Sequence, residues 1–241
     1  MKKVLSEAMK VMLVLLFLAA IFGDFFLVKK LSKMHQVNTE LRLNPSQFSP
    51  ERVGTLKTNI LIYGDSLAVQ WGELPHLENR KITNYGVKGQ TTHQLLLRAD
   101  KELLGVSADW TILLAGARDL QAAASFPKRL DEIVDQAEEN LKALIRKVPS
   151  KKVIITTSPP AFSLPIFYKL AGYQSADITA QKKLNDRIRR LASTRVLVLD
   201  LYEIFLAQGD IEQFSDNGIH INAKGYGVIN QHVTSILLDA E

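Results

Sequence analysis

The sequence predicts an α/β protein: a three-layer α/β/α sandwich on a parallel five-stranded sheet, preceded by an N-terminal membrane helix. Three observations carry that expectation. From Lys57 onward, short apolar runs alternate with amphipathic stretches, and strands buried on both faces of a parallel sheet read as such runs. The first three runs each lead into a glycine-bearing turn, at Gly64, Gly86 and Gly116. Ahead of them lies Val11 to Val28, apolar except for Gly23 and Asp24.

That apolar segment is preceded by Lys2, Lys3 and Lys10 and followed by Lys29, Lys30 and Lys33. A helix of roughly 17 to 25 residues crosses a bilayer core, so its length suffices. Asp24 lies near one end, where it reaches the interfacial layer and costs less than the roughly 2.5 to 3.5 kcal/mol expected at a helix centre. A cleaved signal peptide, with Val11 to Ala20 as its apolar region, is the alternative. No clean pair of small residues marks a cleavage point, so an uncleaved signal anchor over residues 1–33 is preferred. Lysines on both flanks leave the orientation weakly determined. A short N-terminus inside and a large domain outside is the usual arrangement, which predicts a single-pass protein of a bacterial inner membrane with an extracytoplasmic domain.

Residues 34–56 are polar, carry Asn44, Pro45, Ser46, Ser49 and Pro50, and lack apolar periodicity, so they read as a linker. The globular domain follows over residues 57–241. Its expected strands are Ile60 to Tyr63, Ile82 to Tyr85, Trp110 to Leu114, Val153 to Thr156 and Val196 to Leu199. Helical patterns lie between and after them, at about Thr92 to Leu104, Leu130 to Val148, Ile178 to Leu191, Tyr202 to Ala207 and Ala223 to Asp239. Crossover helices between parallel strands cover both sheet faces and bring every strand's C-terminal end to one edge, where ligands bind.

With 241 residues, 46% hydrophobic and 23% charged, the chain can bury a full core and is not disordered. A net charge of +5 raises the question of a nucleic-acid partner, and the location of the charge answers it. Residues 1–33 hold six lysines against Glu7 and Asp24, so most of the excess flanks the apolar segment. Lys182, Lys183, Arg187, Arg189 and Arg190 cluster at helical spacing without interleaved aromatics, which reads as a solvated helix face; no nucleic acid is expected. The absence of cysteine excludes disulfides, thiolate metal sites, a cysteine nucleophile and a cysteine-borne lipid.

Four blocks carry the chemistry. They are Gly64-Asp65-Ser66-Leu67, then Asn84 to Thr92 with Gly86 and Gly89, then Gly116-Ala117-Arg118-Asp119, and finally Ser215-Asp216-Asn217-Gly218-Ile219-His220-Ile221-Asn222. A hydroxyl just past a buried strand sits on rigid backbone at the sheet edge, and a histidine beside an acid, far downstream, supplies the remaining parts of a serine relay. In order and spacing the series resembles the SGNH or GDSL-type esterases and acylhydrolases over about residues 57–238. The resemblance implies a flavodoxin-like sandwich, in agreement with the layout read above. It also implies Ser66 as nucleophile, Gly89 as oxyanion-hole glycine and His220 as general base, with the backbone N–H of Ser66 as a second oxyanion donor. Neither a metal nor an organic cofactor is expected.

Those types have physical reasons. A serine hydroxyl is a weak nucleophile unless an imidazole takes its proton during attack. The resulting oxyanion needs fixed donors, and losing one costs roughly 3 to 4 kcal/mol in known systems. His35, His76, His93 and His232 stand outside any motif and read as bystanders.

Two positions depart from the family pattern. Where the pattern has an asparagine whose amide is a third oxyanion donor, this chain has Arg118, which can donate to the oxyanion, hold an anionic substrate group or obstruct the pocket. Asp119 beside it is expected to brace the loop. Where the pattern has an aspartate three residues before the histidine, this chain has Asn217, with Asp216 one residue earlier. The pair Asn217-Gly218 readily takes positive φ, so a one-residue bulge bringing Asp216 to the ring is preferred. Asn217 itself, or a bare Ser66 and His220 pair, are the alternatives.

Ser158 to Ser175, with Pro159, Pro160, Phe162, Pro165, Ile166, Phe167, Tyr168, Leu170 and Tyr173, follows the fourth strand at the same edge. It can line an acyl pocket or form a lid, pack on the domain's own core, or dip towards a membrane. The expected function is a membrane-tethered serine esterase cleaving an O-acyl ester of a small molecule, glycan or lipid through an acyl-serine. The alternatives are a carbohydrate O-acyltransferase, in which an alcohol replaces water in the second step, and a catalytically degenerate module that binds glycan or lipid.

Overall fold

The computed structural model describes residues 2–43, 55–71, 80–170 and 176–239, with backbone alone for 2–11 and 13–22. Five strands form one sheet in the order β2-β1-β3-β4-β5, with β1 at Leu56–Gly64, β2 at Ile82–Gly86, β3 at Val106–Leu114, β4 at Ser150–Thr156 and β5 at Val196–Leu199. Every pairing is parallel. This order is that of flavodoxin-like doubly wound sheets, whose switch point lies between the first and third strands.

All five expected strands are present. β1, β3 and β4 begin three or four residues before their apolar runs, in stretches such as Lys57-Thr58-Asn59, where backbone pairing continues while Lys57 is exposed and Thr58 is buried. The helices are α1 at Lys2–Leu43, α2 at Ser66–Gln70, α3 at Thr92–Glu102, α4 at Ala117–Ser125, α5 at Leu130–Lys147, α6 at Ile166–Leu170, α7 at Ile178–Arg189, α8 at Leu201–Leu206 and α9 at Ala223–Asp239.

Alternation along the strands divides the core. Leu61, Tyr63, Leu113, Val153 and Ile155 pack with α3, α4, α5 and α7 on one face. Ile60, Ile62, Ile112, Leu114, Ile154 and Leu199 pack with α2, α8 and α9 on the other. Helices therefore cover both faces, as parallel strands require.

Two N-terminal expectations meet the structure differently. The side chains of residues 11 and 13–22, most of the apolar segment, lie outside the described residues, and among the described residues no helix is long and apolar enough to cross a membrane. Residues 34–43, expected as irregular linker, are instead helical and extend α1 to Leu43. Their last turns pack on α3 and α4, burying Thr39 and Leu43. The buried face of this segment is largely polar, which is why apolar periodicity did not show it. Of the basic cluster on α7, Lys183 pairs with Asp131, Arg187 with Asp135 and Glu138, and Arg189 with Asp186, Asp200 and Glu203, as a solvated face does.

Candidate active site

Register places the ends of β1, β2 and β3 side by side, with Gly64 opposite both Gly86 and Leu114. A Cβ on Gly64 would lie 2.1 Å from the Leu114 carbonyl oxygen, so only glycine lets the strands close here. The buried Asp65 caps α2, its Oδ1 accepting from the Leu67 N–H at 2.9 Å. Ser66 is thereby the first residue of a short helix, and its N–H is one of the first-turn donors that no helical carbonyl can reach. Its half-buried hydroxyl makes no hydrogen bond among the described residues. Asn84, on β2, donates to the Ala68 carbonyl at 2.7 Å and accepts from the Gly86 N–H at 2.8 Å, tying α2 to the neighbouring strand end.

The loop after β2 turns at Gly89, which is buried with φ +72°, a left-handed conformation that favours glycine. The loop ends at Thr91, which caps α3 in a reciprocal box with Gln94. Asp119, fully buried, accepts from the Thr92 N–H at 2.9 Å and hydroxyl at 2.8 Å. Burial pushes its carboxyl up to about 6 against those bonds. It braces two loops, as expected. Arg118, in the first turn of α4, donates to Gln121 Oε1 at 2.6 Å. Its Nη2 lies 3.4 Å from where a Cβ on Gly89 would stand, so the guanidinium flanks the Gly89 loop.

His220 sits in a loop closed by an antiparallel bridge between Ser215 and Ile221. Asn217 Oδ1 accepts from the N–H groups of Ile219 and His220, both at 2.9 Å, and its Nδ2 lies 3.3 Å from His220 Nδ1. The expected bulge does not carry Asp216 to the ring: its exposed carboxylate accepts from Asn222 Nδ2 at 2.8 Å, which points it along the loop. Because both backbone donors need an oxygen, the amide orientation is settled, and the nitrogen faces the imidazole. A donor facing Nδ1 favours the tautomer with its proton on Nε2. Burial, then the charges of Arg118 and Lys88, hold His220 below the ordinary histidine value.

The loops meet on a cavity of about 60 Å³ lined by Leu67, Ala117, Pro160, Phe162, Gly218 and Ile219, among others. Ser66's neighbour, the helix of Arg118 and the loop of His220 thus share one wall. The Tyr226 hydroxyl, donating to the Leu67 carbonyl at 2.8 Å, locks α9 against this edge. The segment after β4 divides between its alternatives: Phe162 and Leu164 are buried, while Ile166, Phe167 and Leu170 on α6 are exposed. Tyr173 and His76 lie outside the described residues. Among the described residues, no cluster of side chains could hold a metal ion.

Sequence reading missed what α1 contributes. Arg42 Nη1 donates to the Gly89 carbonyl, the Thr91 hydroxyl donates to the Arg42 carbonyl at 2.7 Å, and His93 Nδ1 lies 3.0 Å from the Leu43 carbonyl. His35, two turns back on the same face, is lowered by burial and then by Arg118 and Arg42. Only the fold places His35 and His93 at this edge.

Solved structures share this fold. A lipase/acylhydrolase from Enterococcus faecalis superposes with TM-score 0.58 at 22% identity, covering 75% of this chain and 95% of that one. A GDSL-like lipase from Bacteroides thetaiotaomicron gives TM-score 0.56 at 18% identity, over 76% of this chain and 89% of that one. An acetylxylan esterase from Geobacillus stearothermophilus, solved as a catalytic mutant, gives 0.54 at 15% identity, over 75% and 93%. No functionally curated protein matches the sequence. The strand-end loops that build the edge, from β1 to α9, fall within residues 62–228, which match the GDSL-like Lipase/Acylhydrolase family, and the chain belongs to that family.

Proposed function

We propose that the protein is a membrane-tethered serine esterase that hydrolyses a short O-acyl ester through an acyl-serine. Ser66 attacks the acyl carbon, His220 takes its proton and returns it to the leaving alcohol, and the N–H groups of Ser66 and Gly89 receive the oxyanion. The observation that carries this reading is the meeting of the Ser66 helix and the His220 loop on one cavity. A cavity of about 60 Å³ holds a few waters or a short acyl group, given that a water needs roughly 10 to 15 Å³ of such volume. The tether rests on the apolar segment Val11 to Val28 with its flanking lysines. At about 1.5 Å per residue, α1 spans about 60 Å, twice the roughly 30 Å hydrocarbon core. A domain on the outer side of a bacterial inner membrane follows from the usual orientation of such anchors.

A fluorophosphonate probe tests the mechanism on the full chain in detergent. An adduct on Ser66, lost in Ser66→Ala, is the expected result. The Asn217 amide facing His220 Nδ1 supports a second reading, a binding module that retains the fold without turnover, and a folded protein that takes no adduct would establish it. Acyl transfer to a carbohydrate hydroxyl differs only in the second step and is distinguished by adding an acceptor sugar and following ester formation.

A further inference from the structure

Two guanidinium groups approach the same glycine from different parts of the chain. A Cβ built on Gly89 would stand 2.4 Å from Nη1 of Arg42 and 3.4 Å from Nη2 of Arg118. Arg42 is not a surface side chain that happens to fall here. The end of α1 is fastened by the Thr91 hydroxyl on the Arg42 carbonyl at 2.7 Å, by His93 beside the Leu43 carbonyl at 3.0 Å, and by the Glu40 and Arg129 pair at 2.6 Å. The half-buried Arg42 donates from Nη1 to the Gly89 carbonyl and from Nε to Asn38 Oδ1 at 3.4 Å. Its Nη2 makes no hydrogen bond, and no carboxylate pairs with it, among the described residues.

Two cations that approach one loop repel each other, and among the described residues Arg42 has no carboxylate beside it to offset this. Lys88, adjacent in the chain, is exposed, and the charges of Arg118 and Lys88 reach His220 while those of Arg118 and Arg42 reach His35. The face presented to a substrate at the oxyanion loop is therefore cationic. Guanidinium groups present paired N–H donors that match a carboxylate or a phosphate.

We propose that Arg42, from the end of α1, and Arg118 form an anion subsite beside Gly89, so that the preferred ester carries a carboxylate or phosphate near its acyl carbon. This rests on the esterase reading above and deepens it. Arg42 and Arg118 are specificity-determining residues here, and the helix ahead of the domain is part of the site.

The test is the ratio of kcat/KM for p-nitrophenyl hemisuccinate to that for p-nitrophenyl acetate, measured on the full chain in detergent. The wild type is expected to favour the anionic ester by about tenfold or more, as a charge-assisted hydrogen bond at a half-buried site supplies. Arg42→Gln and Arg118→Gln bring the ratio down towards one, and Arg42→Lys keeps part of it. Lys151→Gln, which removes an exposed cation at the far end of β4, leaves the ratio unchanged. Competition by succinate against inorganic phosphate tells which anion the site takes. A wild type without preference, or Arg42→Gln slowing both esters equally, overturns the proposal. Should neither ester turn over, the esterase reading fails and calorimetric titration with inorganic phosphate decides the subsite: binding by the wild type lost in Arg42→Gln retains it, and no binding overturns it.

Discussion

The amide nitrogen of Asn217 stands 3.3 Å from Nδ1 of His220, with the amide oxygen held by the N–H groups of Ile219 and His220. A neutral donor at Nδ1 favours the Nε2–H tautomer, so that only the minor tautomer has the Nε2 lone pair a serine hydroxyl needs, and such a donor cannot stabilise the imidazolium that follows proton transfer. In a well-studied serine protease the equivalent exchange of aspartate for asparagine costs about 10⁴ in kcat. Asn217→Asp is therefore expected to raise kcat at least about tenfold, since the carboxylate keeps both backbone bonds and accepts from Nδ1–H. Steady-state kinetics check it, and ¹⁵N chemical shifts of His220 report the tautomer. An unchanged rate would show that His220 does not act as the base.

Burial first, then Arg118 and Lys88, push His220 below its ordinary value. The general base must be neutral, so the acid limb of kcat/KM is expected below pH 6.5, where an unperturbed histidine would place it. Lys88→Gln removes one of the repelling charges, which eases protonation of the ring and moves the limb to higher pH. The shift is partial, because burial remains. A pH profile of wild type and variant measures it, and a limb that moves to lower pH would contradict the assignment.

Much of this was legible beforehand, for identifiable reasons. Buried parallel strands read as apolar runs, so Ile60 to Tyr63 and Trp110 to Leu114 stand out, and the two-sided helices α5 and α9 show their faces in spacing. α4 does not show in the sequence because Gly116 to Asp119 reads as a loop motif, although Gly116, with φ +110°, is the N-cap of that helix. The choice between Asp216 and Asn217 lay beyond spacing altogether. It depends on Asn222, five residues beyond Asn217, taking the Asp216 carboxylate. The docking of Arg42 was equally hidden, because its partners Gly89 and Thr91 lie nearly fifty residues away and the contact is polar.

Asp65 holds a carboxyl in a fully buried position, where Oδ2 has no hydrogen-bond partner among the described residues. Burial pushes it up to about 7, the Leu67 N–H opposing and Asp119 adding to the rise. With a folded value above the unfolded one, the native state binds the proton more tightly, so this contribution to stability is full below about pH 4 and is lost as pH rises towards 7. Asp65→Asn keeps the acceptor for Leu67 and removes the charge. The variant is expected to melt at least about 2 to 4 °C higher than wild type at pH 8, the equivalent of roughly 1 kcal/mol in a chain of this size. At pH 4 the difference shrinks. Thermal melts at both values decide it, and a variant less stable at pH 8 would show that the carboxylate is favourably solvated in the fold.

Arg98 forms an ion pair with Glu102 in which both side chains are fully buried. The same guanidinium donates to the carbonyls of Tyr85 at 2.6 Å and Gly64 at 3.2 Å and lies 4.2 Å from the Tyr63 ring centroid. It therefore joins the ends of β1 and β2 directly beneath the Ser66 and Gly89 loops. Replacing one partner of such a pair leaves a buried charge uncompensated, so Arg98→Met is expected to cost about 3 to 5 kcal/mol. Arg98→Met with Glu102→Leu removes both charges and should recover most of that stability, because apolar replacement of a whole buried pair is often neutral. The strand-end carbonyls still lose their donor in the double variant. Ester turnover is therefore expected to stay depressed while the melting temperature returns, and recovery of both together would show that the clamp serves the fold without positioning the site.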